Sequence, residues 1–244
     1  WDVYNDFHMG SAAELCVKEH QFSREDQDRF AIQSFKRAVE AQKSGAFKAE
    51  MAPVTVAGKK GDATLVDTDE GPGKAQFEKM PTLKPAFQKD GTITAANAST
   101  INDGAAALVL ASESYVKRTG AKWLAKITGF AGHAQAPEWF TTAPVEATRK
   151  ALKVAAWELA QVDLFEVNEA FAVVTMASIK ELGLDESRVN VNGGAISLGH
   201  PIGASGARII VTLVHALKQR GKKRGLASIC IGGGEATAIC VEGA

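Results

Sequence analysis

The chain has 244 residues, 45% hydrophobic and 23% charged, with 28 basic and 28 acidic side chains and no net charge. That length and balance suit one large or two modest domains with real cores and exclude a disordered chain. A neutral chain lacks the electrostatic footprint of a nucleic-acid or membrane-surface binder, and no apolar run nears the roughly 20 residues of a membrane helix. Three cysteines (Cys16, Cys230, Cys240) make no disulfide framework, which fits a reducing compartment. No secretory signal is visible. The expected compartment is the cytoplasm, with the mitochondrial matrix as the eukaryotic alternative. Five histidines lack the spacing of a zinc site, so no metal is expected. Opening at Trp1 without a methionine, the chain reads as the interior of a longer protein.

Taken in order, the first element is a short helix over Ser11–Lys18. A stronger helix follows Ser23, with Asp26 three residues on as a partial capping box and Gly45 as the stop. Ala31, Phe35, Ala38, Val39 and Gln42 share one face of it, the pattern of a packing helix. From Phe47 to Ile101, glycines and prolines punctuate short apolar pieces. A stretch of that kind is expected to be irregular, as lids and binding loops are.

From Ala105 the character changes to alternating strands and helices. Strands are expected at Ala105–Leu110, Trp123–Phe130, Leu164–Val167, Val189–Val191, Leu226–Ile231 and Ala236–Val241. Helices are expected over Ser114–Gly120, from Pro144 to about Leu159, over Ala170–Leu182, and from Gly203 to Arg220. Alternation of this kind predicts a layered α/β domain.

In such domains ligands sit beyond the carboxyl ends of strands. Asn168 and Glu169 follow one predicted strand, His200 follows another, and Cys230 ends a third just before Gly232-Gly233-Gly234. Each has a plain alternative. Cys230 suits a buried small hydrophobe, Asn168 an N-cap, Glu169 a first-turn charge, and His200 a packed or capped residue of a glycine-rich connection. Against these stands their common placement. Glycine-rich turns beside His200 and Cys230 also offer amides to an oxyanion. A cysteine and a histidine in that setting point to proton transfer or acyl chemistry on a thioester. Gly199, Gly203 and Gly206 imitate a phosphate loop, but no Gly-Lys-Ser/Thr ends it and no G-x-G-x-x-G opens a strand–helix unit.

NEAF (Asn168–Phe171), GGAISLGHPIGASG (Gly193–Gly206) and CIGGG (Cys230–Gly234) together resemble the thiolase family, specifically its acetyl-CoA acetyltransferases. The likeness extends upstream through HMG (His8–Gly10), KPAF (Lys84–Phe87) and NASTINDGAAA (Asn97–Ala107), and so covers nearly the whole chain. It implies a layered α/β/α thiolase-like C-terminal domain over about 123–244. An irregular, CoA-binding loop domain over 1–101 precedes it, and about 102–122 would be the tail of an N-terminal domain that is otherwise missing.

By the same resemblance, His200 is the base that activates a nucleophilic cysteine and helps bind the thioester oxygen. Cys230 moves the proton at the α-carbon of the acetyl group. Asn168 holds a water that completes one oxyanion hole, and the Gly232 amide belongs to the other. His8, Met9, Phe87, Ala95, Ser99, Ala170 and Phe171 match positions lining the pantetheine and acyl pocket. Met9 is similar to the residue found in short-chain, acetoacetyl-CoA-type enzymes. The substrates implied are CoA and acetyl-CoA, with no further cofactor, in a homotetramer.

Departures are equally informative. Family members carry the acyl-accepting cysteine in a first half that is expected to be almost wholly absent, and Cys16 matches nothing catalytic. Thr141-Thr142-Ala143-Pro144 replaces a glycine-rich turn, and Glu235 follows CIGGG where a small or apolar residue is common. The chain alone is therefore expected to lack turnover. An alternative is a non-catalytic CoA-binding or assembly module of the same fold. A ketosynthase fits less well, because those enzymes do not use a cysteine in the CIGGG position. The strand expected at Ala105–Leu110 would be left as an open apolar edge, which predicts self-association.

Overall fold

A computed structural model describes residues 1–58 and 61–244 of the chain. The first element is α1 (Met9–His20), longer by two residues at each end than its apolar pattern suggests. His8 caps it, Nδ1 accepting from the Gly10 amide at 3.0 Å. α2 (Arg24–Ser44) starts with the expected capping box. Ser23 Oγ accepts from Asp26 N, and the Asp26 carboxylate accepts from Ser23 N. Gly45 ends it with φ at +75°, a value that costs glycine little. The buried face of α2 runs through Gln27, Phe30, Ala31, Ser34, Ala38 and Ala41. Phe35 and Val39 are only half-buried, so the core stripe is rotated from the expected one.

The irregular middle contains a hairpin that glycine punctuation concealed. β1 (Val54–Ala57) pairs antiparallel with β2 (Ala63–Val66), Val54 facing Val66 and Ala57 facing Ala63. Two short 3-10 turns follow at Pro72–Lys74 and Phe77–Thr82. The strand expected at Ala105–Leu110 does not form. That segment has no regular structure, and Val109 is 98% exposed. A strand exists only by virtue of a ladder partner, and among the described residues none lies beside this one. The open strand edge invoked for self-association is therefore not present.

After α3 (Glu113–Thr119) comes the layered region. β3 (Ala125–Ala134) leads through a 3-10 turn into α4 (Ala143–Ala155), with Pro144 in its first turn. The helix stops four residues short of Leu159, because Ala156 turns left-handed. β4 (Leu164–Val167) is buried on both faces. Then come α5 (Ala172–Leu182), a single turn α6 (Ala195–Leu198), α7 (Ser205–Gln219), β5 (Arg224–Ile231) and β6 (Glu235–Gly243). Val189–Val191 contributes only isolated bridges, Val189 beside Phe165, instead of the expected strand.

The sheet order is β3-β6-β5-β4. The pairs β3–β6 and β5–β6 are antiparallel, and β4–β5 is parallel. Strand alternation sorts side chains to two faces. Leu226, Ala236, Ala238 and Cys240 pack with Ala143, Ala147 and Ala151 of α4 on one face. Ala227 and Val241 pack with Ile209, Leu213 and Leu217 of α7 on the other. The result is the helix–sheet–helix sandwich expected from the alternating pattern. Since β5 runs parallel to β4, their carboxyl ends lie together at one edge. Val167 pairs with Ser228 there, so Asn168 emerges at the end of β5 that carries Cys230.

Candidate active site

Asn168 leaves β4 with its backbone amide donating to Ser228 O of β5 at 3.0 Å. Its side chain is 1% exposed and its Nδ2 lies 3.3 Å from His200 Nε2. The N-cap of α5 is Phe171, so Asn168 caps no helix, and Glu169 precedes the helix rather than entering its first turn. Asn168 Oδ1 is buried without a protein partner. Buried acceptors in that state are rare and call for a partner from outside the protein, such as a water.

His200 sits between α6 and α7, half-buried. Its backbone amide donates to Thr100 O at 2.9 Å, and a parallel bridge joins it to Ile101. The NAST segment therefore serves as a brace for the histidine loop. On the ring's other side Nδ1 lies 2.6 Å from Ser205 Oγ, the first residue of α7. Burial, followed by the Arg208 charge, holds the imidazole below its ordinary pKa. The neutral ring, with a lone pair to accept a proton, is favoured by that setting.

Cys230 is buried near the end of β5, and burial pushes its thiol up to about 12. It carries a proton at neutral pH. The following glycines form the β5–β6 hairpin turn, Gly233 and Gly234 both with positive φ. The open side of Gly232 faces the Met9 methyl. Glu235 points out to solvent from the start of β6.

One apolar cluster holds Cys230 and Phe171 with Met9, Phe87 and Ala170 packed against it. His8 stacks on Phe87 with ring centroids 4.7 Å apart, and Phe87 meets Phe171 edge-on at 5.8 Å. Ser99 donates through both its amide and Oγ to Ala170 O, at 3.0 and 2.9 Å. Ala95 lies apart, exposed in a turn. The two catalytic candidates in direct contact are Asn168 and His200. Cys230 and Gly232 are delivered to the same edge by β5.

Glu169, which follows Asn168 at the strand end, is buried and accepts from Ser34 Oγ (2.7 Å), Asn190 Nδ2 (2.9 Å) and Ile196 N (3.2 Å), tying α2, β4 and α6 together. Two other carboxylates escaped the sequence reading. Glu166, on β4, is 2% exposed and lies 3.5 Å from Arg208. Burial, reinforced by Glu169 and Glu50, pushes it up to about 8 despite that cation. Glu50 accepts from Thr212 Oγ1 at 3.0 Å, and burial lifts it to about 7. A charge within a buried strand and another on a helix face were the available signals. Nothing in one dimension says that they meet.

With this geometry in place, the likeness to known proteins is decisive. Residues 121–243 match the family described as thiolase, C-terminal domain, and residues 1–114 match thiolase, N-terminal domain. The chain belongs to the thiolase family. The N-terminal match corrects one expectation, since residues 1–114 themselves belong to the N-terminal thiolase domain and the notion that this domain is missing is not supported. Acetyl-CoA acetyltransferase 2 of Arabidopsis thaliana is 53% identical over 99% of this chain and 60% of its own length. Acetyl-CoA acetyltransferase of Pseudomonas aeruginosa is 49% identical over 98% of this chain and 61% of its own. The thiolase chain thus spans about 60% of the length of the curated relatives it matches. Among solved structures, the Bacillus anthracis acetyl-CoA acetyltransferase superimposes with a TM-score of 0.96 at 43% identity, covering 100% of this chain and 62% of that one. Acat5 thiolase from Ascaris suum, solved with coenzyme A, gives 0.90 at 44%, again covering 100% and 62%. Among the described residues no helix is long and apolar enough to cross a membrane.

Proposed function

We propose that this chain carries the histidine, asparagine and second-cysteine part of a thiolase site that interconverts two acetyl-CoA with acetoacetyl-CoA and CoA. The observation that carries this reading is the contact between Asn168 Nδ2 and His200 Nε2 at 3.3 Å, placed beside the Cys230 end of β5. A neutral His200 takes the proton of a nucleophilic thiol, and its ring then faces the thioester oxygen. Asn168, with an unpartnered acceptor, holds a water at one oxyanion site, and the Gly232 amide serves the other. Cys230 keeps its proton at neutral pH and exchanges it with the acetyl α-carbon. The cluster of Met9, Phe87, Ala170 and Phe171, with His8 and Ser99 at its border, receives the acyl and pantetheine end. No cofactor beyond the CoA substrates takes part. The names of the relatives support the acetyl preference.

By the family resemblance, none of the three cysteines in this chain stands at the acyl-accepting position. Burial raises the thiols of Cys16 and Cys230 to about 12 and of Cys240 to about 11, so none is a thiolate at pH 7. Incubated with acetyl-CoA, the purified chain shows no stable acetyl adduct on cysteine by intact mass spectrometry. Normal thiolysis without any added polypeptide overturns the proposal. The working enzyme is a homo-oligomer, a tetramer by resemblance. A stable monomer in size-exclusion chromatography counts against that.

A further inference from the structure

Beyond the residues that the family resemblance supplies, Ser205 meets one ring nitrogen of His200. Ser205 is fully buried as the first residue of α7, and its Oγ has two neighbours: His200 Nδ1 at 2.6 Å and Pro201 O at 3.1 Å. A serine hydroxyl has one proton and two lone pairs, while a carbonyl oxygen only accepts. If the hydroxyl proton goes to Pro201 O, the ring must donate from Nδ1 to Oγ. If it goes to Nδ1 instead, Oγ and Pro201 O face each other as two acceptors, which is the poorer arrangement.

The other end of the ring reaches the same answer independently. Asn168 Nδ2 is a donor without a lone pair to offer, and it faces Nε2 at 3.3 Å. A proton on Nε2 would set N–H against N–H. Both ends are satisfied by a single tautomer, with hydrogen on Nδ1 and the lone pair on Nε2. His200 backbone bonding to Thr100 O fixes the loop, so the ring cannot escape the choice by swinging away with its backbone.

We propose that Ser205 is a positioning residue, its Oγ accepting from Nδ1–H of His200 so that Nε2 is presented as the proton-accepting nitrogen. The chain Nε2–ring–Nδ1–H–Oγ–H–Pro201 O anchors the base to the first turn of α7, as orienting partners do for catalytic histidines generally. This rests on the reading of His200 as a base, but its test does not depend on turnover.

The experiment is long-range ¹⁵N–¹H NMR of the imidazole nitrogens in the ¹⁵N-labelled full chain at a pH where His200 is neutral. The wild type is expected to show a protonated, pyrrole-like Nδ1 and an unprotonated, pyridine-like Nε2. In Ser205→Ala the two nitrogen shifts move toward each other as the Nε2–H form is populated. Ser205→Thr, which keeps a hydroxyl, restores the wild-type pattern. Methyl signals of Ile209 and Leu213 report whether α7 stays folded. If Ser205→Thr does not fold, the alanine variant decides alone. A wild-type Nε2–H tautomer overturns the proposal, and so does an unchanged tautomer in a folded Ser205→Ala. Full acetyl transfer in the intact enzyme carrying Ser205→Ala, with the tautomer shifted, would instead count against the reading of His200 as the base.

Discussion

Asn168 directs its Nδ2 at His200 Nε2 from 3.3 Å, a donor aimed at the nitrogen that accepts the proton in the proposed mechanism. The two residues are 32 positions apart and come from different elements, one from the end of β4 and one from the turn before α7. An amide there leaves the neutral ring undisturbed and opposes its protonation, in the same direction as burial and Arg208.

Replacing that donor by an acceptor reverses the effect. In Asn168→Asp a carboxylate faces Nε2, the imidazolium is stabilised, and the His200 pKa rises by about one unit or more. Titration of the ring by NMR checks this. In the intact enzyme, acetyl transfer at neutral pH falls at least several-fold, because part of the base is already protonated. An unchanged or lower pKa would show that the amide does not govern the ring.

Glu166 and Glu50 make stability depend on pH in the opposite sense from ordinary surface carboxylates. Their folded-state values, about 8 and about 7, lie above those of exposed glutamates. Between the unfolded and folded values the native state holds more protons than the unfolded one, so stability falls as pH rises. It is greatest below about pH 4.5 as far as these two groups are concerned, and their contribution declines through the range up to about 8. Glu166→Gln is expected to flatten the decline, with a difference on the order of 1–3 kcal/mol at the alkaline end. Urea midpoints at pH 5.5 and 8 for both proteins measure it. Parallel pH profiles would exclude Glu166 as the source.

Gly193 shows why the loop before His200 begins with two glycines. Its φ is +82°, and a Cβ there would stand 2.6 Å from Ser34 O and 2.9 Å from the Ala38 amide. Both neighbours are backbone or tightly packed atoms of α2, which cannot yield as a flexible side chain does. Gly193→Ala combines left-handed strain with overpacking and is expected to cost about 2–4 kcal/mol. Chemical denaturation checks this, and a loss below about 0.5 kcal/mol would mean that α2 can shift aside.

The helices, most of the strands and the edge that gathers Asn168 and Cys230 were legible from residue order alone. Ser23 and Asp26 form their capping box from atoms three residues apart, and Pro144 and Gly45 punctuate helices through φ, which is a local property. Leu164–Val167 and the strands around the CIGGG turn were visible as buried runs, and their common edge followed from α/β topology. Where the reading erred, partners were missing from one dimension. Ala105–Leu110 has strand composition and no ladder among the described residues, whereas Val54–Ala57 and Ala63–Val66 pair with each other.

By itself the sequence determined that His200 and Asn168 stand on connections, and Cys230 near a strand end, of a layered α/β sheet, because turn chemistry and periodicity are written in neighbouring residues. Only the tertiary structure decided what each of them touches. It placed Asn168 against one nitrogen of His200 and Ser205 against the other, and left Cys230 buried and protonated among Phe171, Met9 and Phe87. It also gathered the half-buried Glu50 and Arg208 around the buried Glu166. Hydrogen bonds and desolvation act over a few ångströms of space, and residues more than 100 positions apart become neighbours only when the chain has folded.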